Sequence, residues 1–112
     1  MRRYGTRNPT VLAAIDLLQR SIEQPPPLAQ AAAALRVSPR QLQRLFAMHL
    51  GTSFKRFDRE LRLERARELL EQTALSVLAI AVATGFGSAE HFSRGYRTMF
   101  GTSPGEGRRI LG

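Results

Sequence analysis

The chain has 112 residues, which is enough for one domain or two very small ones. It contains no cysteine and two histidines, which excludes a disulfide framework, a thiol nucleophile and a cysteine-ligated zinc and argues against any protein-only metal site. The net charge of +8 comes from 16 arginines and one lysine against 9 acidic residues. Because a guanidinium grips phosphate and guanine edges at two points, the expected partner is a nucleic acid.

Three helices are predicted in the first half of the chain. The first has Asn8 as its N-cap and Pro9 as its first helical residue, and it ends before the prolines at 25–27. A second helix covers 28–35, and a third begins at Ser38-Pro39 and ends at Gly51. The apolar stripe of the first helix is Val11, Leu12, Ile15, Leu18 and Ile22.

Four more helices are predicted in the second half, and strand signals are nearly absent throughout, so the fold class is all-α. A long helix runs from about 54 to 72, with the pair Asp58–Arg62 on its exposed side. Further helices cover 76–84 and 88–101, and a short seventh begins at 103. The apolar residues of the long helix lie on two lines, which suits a helix between two small cores: Phe57 and Leu61, then Leu63, Ala66 and Leu70.

No targeting or membrane segment is visible in the sequence. No apolar run approaches the length of about 18 residues that a membrane span needs. The basic start has no apolar region followed by a cleavage site, so we expect no secretory signal and a cytoplasmic protein.

Residues 38–54 and 88–104 are two copies of one pattern. The segment "SPRQLQRLFAMHLGTSF" is matched at an offset of 50 by "SAEHFSRGYRTMFGTSP", so that Arg44 corresponds to Arg94 and Gly-Thr-Ser recurs intact. Upstream the offset is 49, which makes Gly87 an inserted residue. Each copy reads as a short helix, a tight turn and a longer helix, which is the helix-turn-helix layout.

The turn of each copy has its own residue requirements. Ala32 and Ala81 are small where two helices must approach closely. Four residues later, Gly85 suits a left-handed backbone, whereas Arg36 would be strained there by about 1 kcal/mol.

The second helix of each copy has a core-facing and an outward-facing side. Arginine reads guanine, glutamine reads adenine and glutamate accepts from cytosine, and the N-terminal residues of a docked recognition helix meet the base edges. Two such helices in a basic chain favour DNA reading over a plain solvated face. The core positions are Leu42, Phe46 and Leu50, then Phe92, Tyr96 and Phe100. The outward positions are Arg40, Gln43 and Arg44, then Ala89, Glu90, His91, Ser93 and Arg94. Nearby hydroxyls are expected to cap helices more often than to bind phosphate: Thr52, Ser53, Thr102 and Ser103.

These segments resemble the DNA-binding domain of AraC/XylS-type transcriptional regulators. Residues 76–104 resemble the signature region of that family, 37–54 its first recognition helix and 61–77 its linker helix. The opening, 5–24, resembles the subgroup with a glutamine-amidotransferase-like N-terminal domain (GlxA type). The chain departs from the family at Phe54, where proline is usual, at Arg36, where glycine or asparagine is usual, at Gly95, where alanine is common, and in the tail "GEGRR", which lacks an aromatic residue.

The resemblance implies two helix-turn-helix subdomains, each a homeodomain-like three-helix unit, joined by a long linker helix and entering successive major-groove turns of DNA. The expected division is a basic extension (1–8), a first subdomain (9–53), a linker helix (54–72) and a second subdomain (73–112). The implied base readers are Arg40, Gln43, Arg44, Ala89, Glu90, His91 and Arg94, and the implied backbone contacts are Ser38, Ser88, Ser93 and Arg97.

The resemblance also implies partners. These are double-stranded DNA and RNA polymerase, with no cofactor and no metal. In the family a sensor domain usually precedes this one. The chain is therefore either a fragment of a longer regulator, whose effector-sensing domain lies outside it, or a stand-alone regulator, and the resemblance to the GlxA-type subgroup favours the fragment.

Sequence-specific DNA binding that regulates transcription is therefore the leading hypothesis. The alternatives are a non-specific nucleic-acid-binding or architectural module, and a protein-interaction domain whose basic face meets an acidic partner. An enzyme is the least supported class, because the sequence has no glycine-rich phosphate loop and no histidine with an obvious nucleophile or paired carboxylate. The operator, the effector and the choice between activation and repression stay open.

Overall fold

The computed structural model describes residues 5–111, with side chains described up to residue 108. Within that range the chain forms seven α-helices and no β-strand, which confirms the all-α fold. None of these helices is long and apolar enough to cross a lipid bilayer. In chain order they are α1 (Pro9–Arg20), α2 (Leu28–Ala34), α3 (Pro39–Leu50), α4 (Phe54–Gln72), α5 (Val77–Ala83), α6 (Ala89–Phe100) and α7 (Pro104–Leu111).

The described residues form two compact units. Unit 1 contains residues 5–21 and 25–59, and unit 2 contains residues 22–24 and 60–111. In unit 1, α3 packs against α1 and α2, and in unit 2, α6 packs against α5 and α7. Each unit therefore carries one helix-turn-helix pair, α2–α3 in unit 1 and α5–α6 in unit 2.

Side-chain caps begin six of the seven helices. Each cap oxygen accepts a hydrogen bond from a backbone N–H that has no partner inside its helix, which stabilises a helix by about 1 kcal/mol. In the Gly-Thr-Ser segments after α3 and α6, the capping residues are Ser53 and Ser103 and not the threonines before them. The caps are Asn8, Ser38, Ser53, Ser76, Ser88 and Ser103, with N···O distances of 3.0 to 3.2 Å.

Aromatic rings contribute much of the core of unit 1. The ring of Phe46 makes edge-on contacts with Phe54 and Phe57, at centroid distances of 5.3 and 5.6 Å. Phe54, a departure from the family pattern, is thus a core residue. Leu12 was expected on the apolar stripe of α1 but is 44% exposed, because the buried face of α1 is completed by Ala14 instead.

The core of unit 2 is built around α6. The rings of Phe86 and Phe92 lie 5.3 Å apart, and those of Phe92 and Tyr96 lie 5.8 Å apart. Burial raises the pKa of Tyr96, partly offset by Arg67, so its phenol stays neutral at physiological pH. The second apolar line of α4 packs into this core, as the sequence predicts. The buried members are Leu63, Ala66, Leu70, Ile80, Ala81, Phe86, Phe92 and Tyr96.

Asp58 was expected on the exposed side of α4, and that expectation is wrong. The residue is 8% exposed. It lies four residues after Phe54 and three before Leu61, both of which are buried, so it shares their face of the helix.

The two helix-turn-helix turns have the same backbone. Arg36 has φ 60° and Gly85 has φ 78°, and among the residues described here Arg36 is the one non-glycine with positive φ. The next residue in each copy donates its N–H to the carbonyl of the small residue of the first helix, Val37 to Ala32 at 3.0 Å and Phe86 to Ala81 at 2.9 Å. The strained position expected from the repeat is therefore confirmed.

An arginine of α7 ties this helix to the segment after α4. The guanidinium of Arg108 donates to the carbonyls of Leu75 (2.5 Å), Thr73 (3.3 Å) and Leu70 (3.5 Å), which lie at the end of α4 and in the loop after it. Those carbonyls have no partner within α4, so the contact closes the helix end. Together with the Ser103 cap, this contact stabilises a helix over the glycine-rich tail.

Replacing Arg36 with glycine should raise the free energy of unfolding by about 1 kcal/mol, because glycine adopts a left-handed backbone without the clash that a Cβ introduces. The reverse change in the matched turn, Gly85→Ala, should lower it by a similar amount. Urea unfolding followed by circular dichroism measures both. An Arg36→Gly protein no more stable than the parent would show that the arginine side chain outweighs the strain.

Gly95→Ala should stabilise the protein by about 1 kcal/mol, because alanine is the better helix former. A Cβ at Gly95 would lie 3.6 Å from Leu63 Cδ1, an ordinary contact distance. Gly107→Ala is the matched control in α7, where a Cβ would lie only 3.2 Å from Tyr96 Oη. Thermal unfolding should therefore rank Gly95→Ala above Gly107→Ala, and the opposite order would contradict the packing argument.

Candidate nucleic-acid interface

The outward face of α3 is basic. Arg40, Gln43 and Arg44 are all exposed, while Leu42 and Phe46 on the other side are fully buried. Arg40 and Arg44 are one helical turn apart and therefore lie on one face. Neither guanidinium is paired with a carboxylate within the described part of the chain, so both can approach an anion.

The side chain of Gln43 has a partner that the sequence does not reveal. Its Oε1 accepts a hydrogen bond from the backbone N–H of Phe54, with an N···O distance of 3.2 Å. Phe54 is the first residue of α4, so this bond joins the recognition helix of unit 1 to the start of the next helix.

The face of α6 carries mixed charge. Glu90, His91 and Arg94 are exposed, and Ala89 is half-buried. The ring of His91 lies 5.6 Å from that of Phe86. Glu90 and Arg94 are one turn apart, so an anion and a cation share this face. Unit 2 therefore presents less positive charge on its recognition helix than unit 1.

The residues expected at the DNA backbone lie near the recognition helices. The hydroxyl oxygens of Ser38 and Ser88 accept from Gln41 N and His91 N, both at 3.0 Å, and each hydroxyl keeps a hydrogen to donate. Ser93 is half-buried. Arg97 is exposed and lies 3.9 Å from Glu106, a loose surface ion pair that competes little with a phosphate.

Arg62 supports the turn that presents α6. Its Nη1 donates to the carbonyl of Gly85 at 3.1 Å, and its guanidinium lies 4.6 Å from the centre of the Phe86 ring. Sequence reasoning placed this residue on an exposed surface and missed the role. The available signal was its position between Leu61 and Leu63, which both belong to apolar lines.

Comparison with known proteins identifies close relatives. A family model described as "Helix-turn-helix domain" matches residues 31–110. The HTH-type transcriptional regulator GlxA of Rhizobium meliloti (strain 1021) is 44% identical over 110 residues, covering 98% of this chain and 34% of the relative. The HTH-type transcriptional regulator CdhR of Pseudomonas aeruginosa is 42% identical over 109 residues, covering 97% and 32%. This chain thus spans about a third of the length of these relatives.

Solved structures share the fold. A transcriptional regulator of Chromobacterium violaceum with an AraC-type DNA-binding domain superposes with a TM-score of 0.89 at 43% identity, covering 92% of each chain. The DNA-binding domain of AdpA, solved in complex with a target DNA, has a TM-score of 0.85 at 23% identity, covering 93% of each chain. At that identity the second likeness concerns the fold alone.

Arg62→Met should lower the free energy of unfolding by about 1–3 kcal/mol, because it removes a hydrogen bond and a cation–π contact while keeping the apolar stem. Amide hydrogen exchange at Phe86 should become faster as the turn loosens. Arg65→Met is the matched control, since Arg65 is exposed and its salt bridge among the described residues is with Glu68 of the same helix, at 3.2 Å. That change should cost less than about 0.5 kcal/mol. Equal losses in both variants would refute the supporting role of Arg62.

Proposed function

The chain belongs to the helix-turn-helix domain family of AraC-type regulators, and from that premise we propose that it binds specific sequences of double-stranded DNA and so regulates transcription. The observation that carries this proposal is the exposed basic face of α3, presented by a turn whose backbone recurs before α6. A recognition helix needs such a fixed presentation, because base edges are read at hydrogen-bond distance.

Direct reading is assigned mainly to unit 1. Arg40 and Arg44 each carry a planar fork that can bind O6 and N7 of guanine together. Gln43 lies beside them on the same surface. The recognition helix of unit 2 adds Ala89, Glu90, His91 and Arg94, whose small and mixed side chains suit backbone contact and the sensing of DNA shape.

Phosphate contacts are assigned to the start of each recognition helix and to one later arginine. The cap hydroxyls of Ser38 and Ser88 lie where the positive end of a helix favours an anion. Ser93 and Arg97 extend this set in unit 2. Such contacts set the register on the duplex and make affinity fall as salt rises.

The remaining parts of the proposal follow from the family. We assign the chain no enzymatic reaction, and we place its action in the cytoplasm. RNA polymerase is the proposed protein partner through which binding changes transcription. Effector sensing is assigned to other parts of a regulator, since two thirds of the length of the relatives lies outside the matched region.

Selection of binding sites from random duplex DNA tests the proposed function. Sequence-specific binding should enrich one motif, and footprinting on that motif should show protected bases. Binding without an enriched motif would favour a non-specific or architectural module instead. A duplex left unshifted even at low salt would favour a protein-interaction domain.

Arg44→Ala should weaken binding to the selected duplex by about 1–3 kcal/mol and relax the base preference at one position. Arg97→Ala is the comparison variant. It should weaken binding to the selected and the scrambled duplex equally, and it should reduce the slope of log K against log salt concentration by about 1, the value for one lost phosphate contact. Fluorescence anisotropy titrations across a salt series measure both. If Arg44→Ala weakens binding to the two duplexes equally, Arg44 contacts the DNA backbone and is not a base reader.

A further inference from the structure

The hydrogen bond between Gln43 and Phe54 fixes the direction of the glutamine amide. Phe54 N–H is the first donor of α4 and has no acceptor inside that helix. A donor can face only the oxygen end of an amide, so the 3.2 Å contact identifies that end as Oε1. The free end of this exposed side chain is therefore Nε2, with two hydrogens to donate.

The second copy of the repeat supports a specific role for this bond. At the offset of 50, Gln43 corresponds to Ser93 and Phe54 corresponds to Pro104. Proline has no N–H, so the first residue of α7 needs no acceptor. The long amide side chain of Gln43 thus occurs in the first copy, where Phe54 N–H needs an acceptor. The short hydroxyl of Ser93 occurs in the second copy, where Pro104 has no N–H.

We propose that Gln43 is a specificity-determining residue that presents only donors to the major groove and selects guanine. This inference rests on the proposed DNA binding. Glutamine recognises adenine with both ends of its amide, since the oxygen accepts from N6 while the nitrogen donates to N7. In this chain the hydrogen bond from Phe54 N–H turns Oε1 toward the start of α4. The oxygen keeps a second lone pair, but it can accept from adenine N6 only if the base lies on that same side, so the two-point pairing is disfavoured.

Guanine matches the Nε2 group of Gln43, which is the end of the amide not bonded to Phe54. Its major-groove edge offers two acceptors, O6 and N7, and the Nε2 group has two hydrogens. Thymine offers one acceptor, O4, and cytosine offers a donor that would face the amino group. The order of preference is therefore guanine first and adenine below it, which replaces the adenine reading expected from residue type alone.

Two substitutions separate the two ends of the side chain. Gln43→Glu keeps an acceptor for Phe54 N–H and removes every donor. Gln43→Met has a similar length but neither accepts nor donates in this way. Binding sites are selected with the unaltered chain and with both variants. The base pair read by Gln43 is the one at which the base preference changes in both variants.

At that position the unaltered chain should prefer guanine over adenine by about fivefold or more. Gln43→Glu should lose this preference and move toward cytosine, whose N4 donates to a carboxylate. A preference of the unaltered chain for adenine overturns the inference, and so does an unchanged profile in both variants. In either case an enriched motif leaves the proposed function standing.

The melting temperature tests the bond itself. Gln43→Glu should melt at or above the parent, because a carboxylate is favourable at a helix N-terminus, while Gln43→Met should melt lower. Ser93→Ala is the matched control and should melt with the parent, because Pro104 has no N–H. Unchanged melting of Gln43→Met, or a loss of stability in Gln43→Glu, shows that the bond is not made and overturns the inference. If the unaltered chain enriches no motif, the proposed function and the base preference fail together.

Discussion

Neither unit of this chain can close its core without α4. Phe54 and Phe57, from the first turn of that helix, pack on Phe46 in unit 1. Leu63 and Leu70, from its later turns, belong to the core of unit 2. Units of this size bury little apolar surface, so each depends on these contributions. Within each unit, one apolar line of this 19-residue helix therefore completes the core, behind α3 in unit 1 and behind α6 in unit 2.

The repeated halves keep their backbone and differ in their surfaces. Both turns have a left-handed residue and the same returning hydrogen bond, although the second has Gly87 as an extra residue before its helix cap. The first recognition helix carries two arginines on its outer face, whereas the second carries one glutamate, Glu90, and one arginine, Arg94. In the proposed function, this difference assigns most of the base reading to unit 1 and mainly backbone contacts to unit 2.

Local chemistry explains which features were predictable from sequence. Helix ends follow from short-range signals, so the Asn8 cap and the helix starts at Ser38 and Ser88 were predicted correctly. The pattern of α4 indicated two cores. The exposure of Arg40 and Arg44 also follows from helical periodicity. Tertiary contacts carry no such signal. The burial of Asp58, the bond from Arg62 to the Gly85 carbonyl and the orientation of the Gln43 amide each depend on a second element that only the folded chain brings near. Those were the features that were missed. One involves α3 itself and another the turn that precedes α6.

The contact made by Arg108 determines where this domain can be shortened. Its guanidinium binds carbonyls at residues 70, 73 and 75, far from it along the chain, so α7 secures the segment that leads into α5. A protein ending after α6 would contain both recognition helices and yet leave those carbonyls without their donor. The shortest version of the domain that keeps this contact therefore extends past both recognition helices, to Arg108. A reporter or affinity tag fused near this end needs a spacer that leaves Arg108 in place.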